Sequence, residues 1–153
     1  HLAKQIRPSD PETVVGIFGE NREAFRVGAV SVCFLGRLDD AGLRDAYSAA
    51  DVMVVPSRLD NFPSTAVEAQ ACGTRAVAFR AGGLTDIVNH EETGLLVEPF
   101  DCKQLADAVH EILHDNDLKT RFGKEARKLA QQRWSSETVA KAYFQVLSLA
   151  VQT

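Results

Sequence analysis

The segment VMVVPSRLDNFPSTAVEAQACGTRAVAF, residues 52–79, decides the fold. It opens with an apolar, β-branched run, VMVVP (52–56), passes through a polar loop, SRLDNFP (57–63), and turns helical in composition over STAVEAQAC (64–72). Gly73 stops that helix, as glycine commonly does one residue past a helix end. A second apolar run, RAVAF (75–79), follows. Short runs that are apolar throughout, rather than alternating, belong to strands covered on both faces, the pattern of a parallel sheet. Strand, crossover helix and strand at this spacing close as a right-handed βαβ unit.

Working outward, TVVGIF (13–18), SVCFL (31–35) and GLLV (94–97) read as further strands of the same kind. The segments Glu20 to Arg26, Ala41 to Ala50 and Leu84 to Val88 are each short enough to be crossover helices. The expectation is an α/β fold, a Rossmann-like parallel sheet with helices on both faces. After Pro99 the pattern changes. Over 102–114, Leu105, Val109, Ile112 and Leu113 fall on one helical face, and a second helix from Leu118 carries Phe122, Leu129 and Ala130. Trp134 and Ser135 interrupt the period, Ser135 or Ser136 can N-cap, and Val139, Tyr143, Val146, Leu147 and Ala150 mark a last helix. No internal repeat, low-complexity tract or linker divides the chain, so residues 1–153 read as one domain.

Composition narrows the function classes. The chain has 153 residues, 45% hydrophobic and 25% charged, which suits a globular domain with a real core rather than a disordered one. A formal net charge of −4 offers no electrostatic footprint for a nucleic-acid backbone, so no nucleic-acid partner is expected. Cys33, Cys72 and Cys102 form an odd set without CxxC spacing, which points to a reducing, cytoplasmic setting rather than a disulfide framework. No apolar run approaches the ~20 residues that span a bilayer. Because the chain starts at His1 and its one methionine is Met53, it reads as part of a longer protein.

In open parallel sheets the ligand crevice lies outside the carboxyl ends of the strands. The residues to examine are therefore Gly19, Gly36 to Leu38, Ser57 to Pro63 and Ala81 to Gly83. Asp60 lies in the loop after VMVVP and Glu68 one turn inside the following helix, so both carboxylates can face one crevice. The start of that helix presents free backbone N–H groups and the positive end of its dipole, a ready site for a diphosphate.

The spacing of Asp60 and Glu68, followed by EAQACGTRAVAF, is similar to the E-x7-E signature of retaining glycosyltransferases built from two Rossmann-like domains, the GT-B type, and of their group 1, or family 4, members. The likeness continues in FLGRLDD, AGGLTDIV, HEETGLLVEPFD and RWSSETVAKAY, in the family's order and over nearly the whole chain. The resemblance implies the donor-binding, carboxy-terminal half of such an enzyme, with the acceptor-binding amino-terminal domain outside this sequence. It places Glu68 on the ribose hydroxyls of a nucleotide and Asp60 on the hydroxyls of the donor sugar. It also puts Arg37 and Leu38 beside the base, and the backbone N–H groups of Asn61, Phe62, Ser64 and Thr65 on sugar and phosphates.

The donor so implied is a nucleotide-diphosphate sugar used without a metal, with no other cofactor. The acceptor is a carbohydrate or a lipid-linked hydroxyl, and the parent is expected in the cytoplasm, with peripheral contact at the inner face of the membrane. Polysaccharide or glycolipid assembly is the implied setting. Family members also carry an Arg and a Lys after the domain's first strand. Here HLAKQIRPSDPE (1–12) reads as a helix end and a turn, so that strand, central in the order 3-2-1-4-5-6, is expected to be missing. Asp60 stands where the family has Glu, Pro63 where Gly is frequent, Arg75 where Pro is usual, and Asp86 where Glu is usual.

Each feature has a plainer alternative. Thr65 to Glu68 fits a capping box, in which the glutamate serves its own helix start. Asp60-Asn61 is an ordinary turn pair, and Gly82-Gly83 alone signifies a tight turn. His110 to His114 spells HExxH, the zinc-peptidase pattern, but the apolar stripe of Leu105, Val109 and Ile112 turns both histidines toward solvent. Lys119, Arg121, Lys124, Arg127 and Lys128 make a basic helix side that is solvated by default and offers anionic lipid a contact. Two other function classes stay open: a non-catalytic nucleotide-sugar-binding module, and a nucleotide-sugar epimerase of the same shape.

Overall fold

A computed structural model describes residues 13–151. Strand β1 is Val14–Phe18, β2 Phe25–Val27, β3 Val30–Gly36, β4 Met53–Val55, β5 Ala76–Phe79 and β6 Gly94–Val97. Helix α1 is Asp40–Ala49, α2 Ser64–Ala71, α3 Leu84–Ile87, α4 Cys102–His114, α5 Asn116–Trp134 and α6 Ser136–Val151. The helix end and turn expected over 1–12 lie outside the described residues.

One expectation is corrected. The segment Glu20 to Arg26 is not a crossover helix; its end forms β2, which pairs antiparallel with β3. Gly28 at φ 62, followed by Ala29, supplies the glycine-first order of a two-residue type II′ hairpin. That turn lets Phe25, Arg26 and Val27 add directly to the sheet, and Phe25 meets Phe34 with ring centroids 6.2 Å apart. The α/β fold is as expected, with a parallel β4-β5-β6 sheet flanked by helices on both faces. Among the described residues there are two three-stranded sheets, ordered β1-β3-β2 and β4-β5-β6. β1 pairs parallel with β3, and β4, β5 and β6 are parallel throughout.

The β4-β5-β6 sheet carries the main core and is covered on both faces, which is why its strands are apolar at every position. On one side Val77, Phe79, Leu95 and Val97 meet Leu105, Val109 and Ile112 of α4 and Phe122 of α5. On the other, Val55, Ala76, Ala78 and Leu96 meet Ala66 of α2 with Leu84, Ile87 and Val88 around α3. Capping is local and follows sequence. Asp39 caps α1 through the N–H of Gly42, Asp101 caps α4 through Lys103 and Gln104, and Asp115 caps α5 through Leu118. Ser135, one of the two candidate caps, accepts from the Thr138 N–H at 3.3 Å and starts α6. Along α6, Tyr143, Phe144, Val146, Leu147 and Leu149 stay exposed.

The two sheets are joined by α1 packing on α2. Phe18 at the end of β1 stands edge-on to Tyr47 of α1 at 5.8 Å. Thr74, entering β5, donates its hydroxyl to the carbonyl of Tyr47 at 2.5 Å.

Candidate functional site

The carboxyl ends of β4 and β5 lead into two loops, 57–63 and 80–83, that pack backbone on backbone. The Gly83 N–H donates to the carbonyl of Asp60 at 3.0 Å. A Cβ on Gly82 would stand 2.2 Å from the Asp60 carbonyl oxygen, and one on Gly83 would stand 2.0 Å from that of Asn61. Only glycine lets the chains come this close, so Gly82-Gly83 does more than make a turn: it fixes the height of the 57–63 loop.

Helix α2 opens directly behind that loop. Its N-cap is Pro63, which makes no side-chain capping bond, and the Ala66 N–H turns back to the Pro63 carbonyl at 3.0 Å. The N–H groups ahead of it, at Ser64 and Thr65, are the ones an α-helix leaves without an intrahelical partner. Ser64 is exposed and Thr65 half-buried. This is the geometry that receives anions, with the dipole's positive end facing the ligand.

Asp60 and Glu68 flank this helix start in chain order, and each has a hydrogen-bond partner. Asp60 is half-buried and its Oδ1 accepts from the Phe62 N–H at 3.1 Å, so the turn-pair reading of Asp60 describes a bond that forms. That bond occupies the Phe62 N–H, which was expected on sugar or phosphate; the N–H groups of Asn61, Ser64 and Thr65 are not engaged in this way. Glu68 is exposed and does not close a capping box, because the helix begins at Ser64 rather than after Thr65. Its Oε2 instead accepts the hydroxyl of Tyr47 at 3.0 Å. Arg37 is exposed and Leu38 half-buried, immediately before α1. They follow the end of β3, in the other sheet, and lead into α1, which packs on α2.

Three residues that sequence reasoning passed over enter the site's architecture. Tyr47 is 3% exposed, and its phenol is pushed well above the ordinary tyrosine range, first by burial, then by its bond to Glu68 and the charge of that carboxylate. Trp134, the chain's single tryptophan, meets Phe62 of the loop edge-on at 4.9 Å. Its buried Nε1 has no hydrogen-bond partner among the described residues, while its neighbour Arg133 reaches the Asp86 carbonyl at 3.4 Å. The end of α5 thus braces both the loop and α3. Arg58 lies over the ring of Phe100 at 5.3 Å and ties the same loop to the turn before α4. Sequence offered a faint signal for Tyr47 and Trp134 as large rings in helical stretches, but nothing in chain order shows which loop a ring will touch.

Elsewhere, the His110 and His114 rings stack at 3.9 Å, and His114 Nδ1 lies 2.9 Å from the His110 carbonyl. Among the described residues, no three His, Cys, Asp or Glu side chains gather as metal ligands. No helix among them is long and apolar enough to cross a membrane. On the basic side of α5, Lys119 pairs with Asp51 and Lys128 with Glu125, both at about the surface, where such pairs contribute ~0–1 kcal/mol.

Comparison with known proteins agrees with this architecture. The D-inositol 3-phosphate glycosyltransferase of Corynebacterium jeikeium is 40% identical over 115 residues, covering 73% of this chain and 27% of that protein. The N-acetyl-alpha-D-glucosaminyl L-malate synthase of Bacillus anthracis is 30% identical over 112 residues, covering 73% and 29%. Among solved structures, sucrose-phosphate synthase from Thermosynechococcus elongatus superposes with a TM-score of 0.75 at 40% identity, covering 79% of this chain and 30% of that one. HepE of Anabaena, solved with UDP-glucose, gives 0.71 at 29% identity, covering 76% and 32%. The chain thus spans about a third or less of the length of these relatives. The family pattern described as glycosyl transferases group 1 matches residues 1–129, and the chain belongs to that family.

Proposed function

We propose that this chain is the donor-binding half of a retaining glycosyltransferase that moves a hexose-type sugar from a nucleotide diphosphate to an acceptor hydroxyl. The observation that carries the reading is the uncapped start of α2 behind the 57–63 loop, with Asp60 before it and Glu68 one turn inside. The N–H groups of Ser64 and Thr65 receive the diphosphate there, without a metal, and the loop N–H of Asn61 adds to the cradle. Glu68 holds the ribose hydroxyls and the remaining lone pairs of Asp60 meet the sugar. Arg37 and Leu38 flank the base. The complex of HepE with UDP-glucose supports a ligand of this class.

Charge in the transition state develops on the departing diphosphate, so oriented N–H dipoles that meet it stabilise that state more than the ground state. The acceptor hydroxyl attacks from the face that the diphosphate leaves, which retains configuration without a protein nucleophile. Acceptor contacts then fall to another part of the parent polypeptide, and the exposed apolar side chains of α6 give that part ground to pack on. A carbohydrate or lipid-linked acceptor at the inner face of the membrane, in polysaccharide or glycolipid assembly, completes the reading.

Calorimetric titration of the intact polypeptide with UDP, ADP and GDP in turn tests it. Charge-assisted hydrogen bonds contribute about 1.5–3 kcal/mol, so Glu68→Ala should weaken the tightest of the three on the order of tenfold to a hundredfold. Unchanged affinity in that variant removes the assignment.

A further inference from the structure

Tyr47 stands on α1 between the two sheets, and two of its bonds leave its own helix. Its hydroxyl donates to Glu68 Oε2 at 3.0 Å, and its carbonyl accepts from the Thr74 hydroxyl at 2.5 Å. Its ring is held edge-on by Phe18 at 5.8 Å, and the side chain is 3% exposed. A buried ring clamped from one side, with its backbone tied from the other, leaves the phenol little freedom. Its proton therefore points at one carboxylate oxygen of Glu68, a side chain that is otherwise exposed and would sample several rotamers.

From this geometry we infer that Tyr47 is a positioning residue for Glu68, and that it couples the base-flanking segment to the ribose-binding carboxylate. The inference rests on the donor-binding reading of Glu68. Arg37 and Leu38 lead straight into α1, on which Tyr47 stands, while Glu68 stands on α2. Among the described residues, this hydroxyl-to-carboxylate bond is the side-chain hydrogen bond that links α1 to α2. One Glu68 oxygen is taken by Tyr47, which turns the other toward the ligand and holds the carboxylate where a pair of vicinal hydroxyls can share it. Tyr47 is too buried to touch the nucleotide, so its effect passes entirely through Glu68.

Tyr47→Phe removes the hydroxyl and keeps the ring against Phe18, so the fold is retained. In the intact polypeptide, titrated with the tightest of UDP, ADP and GDP, the variant should bind about tenfold more weakly. With the nucleotide sugar carrying that same base, the donor KM should rise by a similar factor and kcat should change less than threefold. In a Glu68→Ala background, Tyr47→Phe should add less than a twofold loss. If Glu68→Ala weakens binding while Tyr47→Phe does not, or if the two losses multiply in the double variant, Tyr47 does not act through Glu68 and the inference falls. If Glu68→Ala itself leaves affinity unchanged, the donor-binding reading falls and this inference with it.

Discussion

Replacing Gly83 by alanine tests the contact that sets the height of the 57–63 loop. The new Cβ would stand 2.0 Å from the Asn61 carbonyl oxygen, 2.8 Å from its carbon and 3.2 Å from the Phe62 Cα. All three are backbone atoms, so no side chain can swing aside. Ordinary carbon–oxygen approach is about 3.3 Å, and the loops must part by about 1.3 Å to reach it. That separation breaks the Gly83 N–H bond to the Asp60 carbonyl. Overpacking costs about 1–3 kcal/mol and the lost bond about 0.5–1.5 kcal/mol, together about 2–4 kcal/mol. For a domain of this size the Tm should fall on the order of 10 °C.

The functional effect follows from the same displacement. A misplacement of about 1 Å at a reacting centre costs on the order of a hundredfold in rate, so kcat/KM for the donor should drop by about that factor. Steady-state kinetics and thermal melting of the intact polypeptide read the two effects. Gly28→Ala is the matched control, since its φ of 62 disfavours a side chain but nothing lies within 4 Å of the added Cβ. It should lose about 1–2 kcal/mol of stability with donor kinetics unchanged. Wild-type melting and wild-type donor KM in Gly83→Ala would refute the packing argument.

The raised phenol of Tyr47 predicts an alkaline signature. Its folded-state pKa lies above that of an unfolded tyrosine, about 10, so the stability it contributes is full below about pH 10 and is lost as the pH climbs beyond it. Urea melts should therefore show stability falling by up to about 1.4 kcal/mol per pH unit above that point, and Tyr47→Phe should remove this part of the slope. Trp134 predicts an optical signature: as the chain's single tryptophan, edge-on to Phe62 at 4.9 Å, its emission should change when UDP, ADP or GDP settles the loop. Phe62→Ala should abolish most of that change and cost about 0.5–1.5 kcal/mol beyond lost burial; an unaltered emission response would mean the ring pair does not report on the loop.

The strands of the β4-β5-β6 sheet were legible because each is buried on both faces and therefore apolar at every position. β2 was not legible, because Phe25-Arg26-Val27 is three residues long and exposed enough to carry an arginine. Its best signal was the turn, Gly28-Ala29, rather than the strand. In the candidate site, spacing drew attention to Asp60 and Glu68, and the change from loop to helix near Pro63 marked a helix start, but only the structure shows that start to be uncapped. The Asp60 bond to the Phe62 N–H was the plainer alternative, and the structure contains it beside the candidate role.

Sequence alone determined the order of elements around the loop, the helix behind it and the two carboxylates, because these depend on local periodicity and on spacing within one βαβ unit. Tertiary structure decided which side chains hold them. Tyr47 is 21 residues from Glu68, Trp134 is 72 from Phe62, and Gly83 is 23 from Asp60. Contacts at such separations are set by how helices pack across the sheets, and chain order carries no record of that packing.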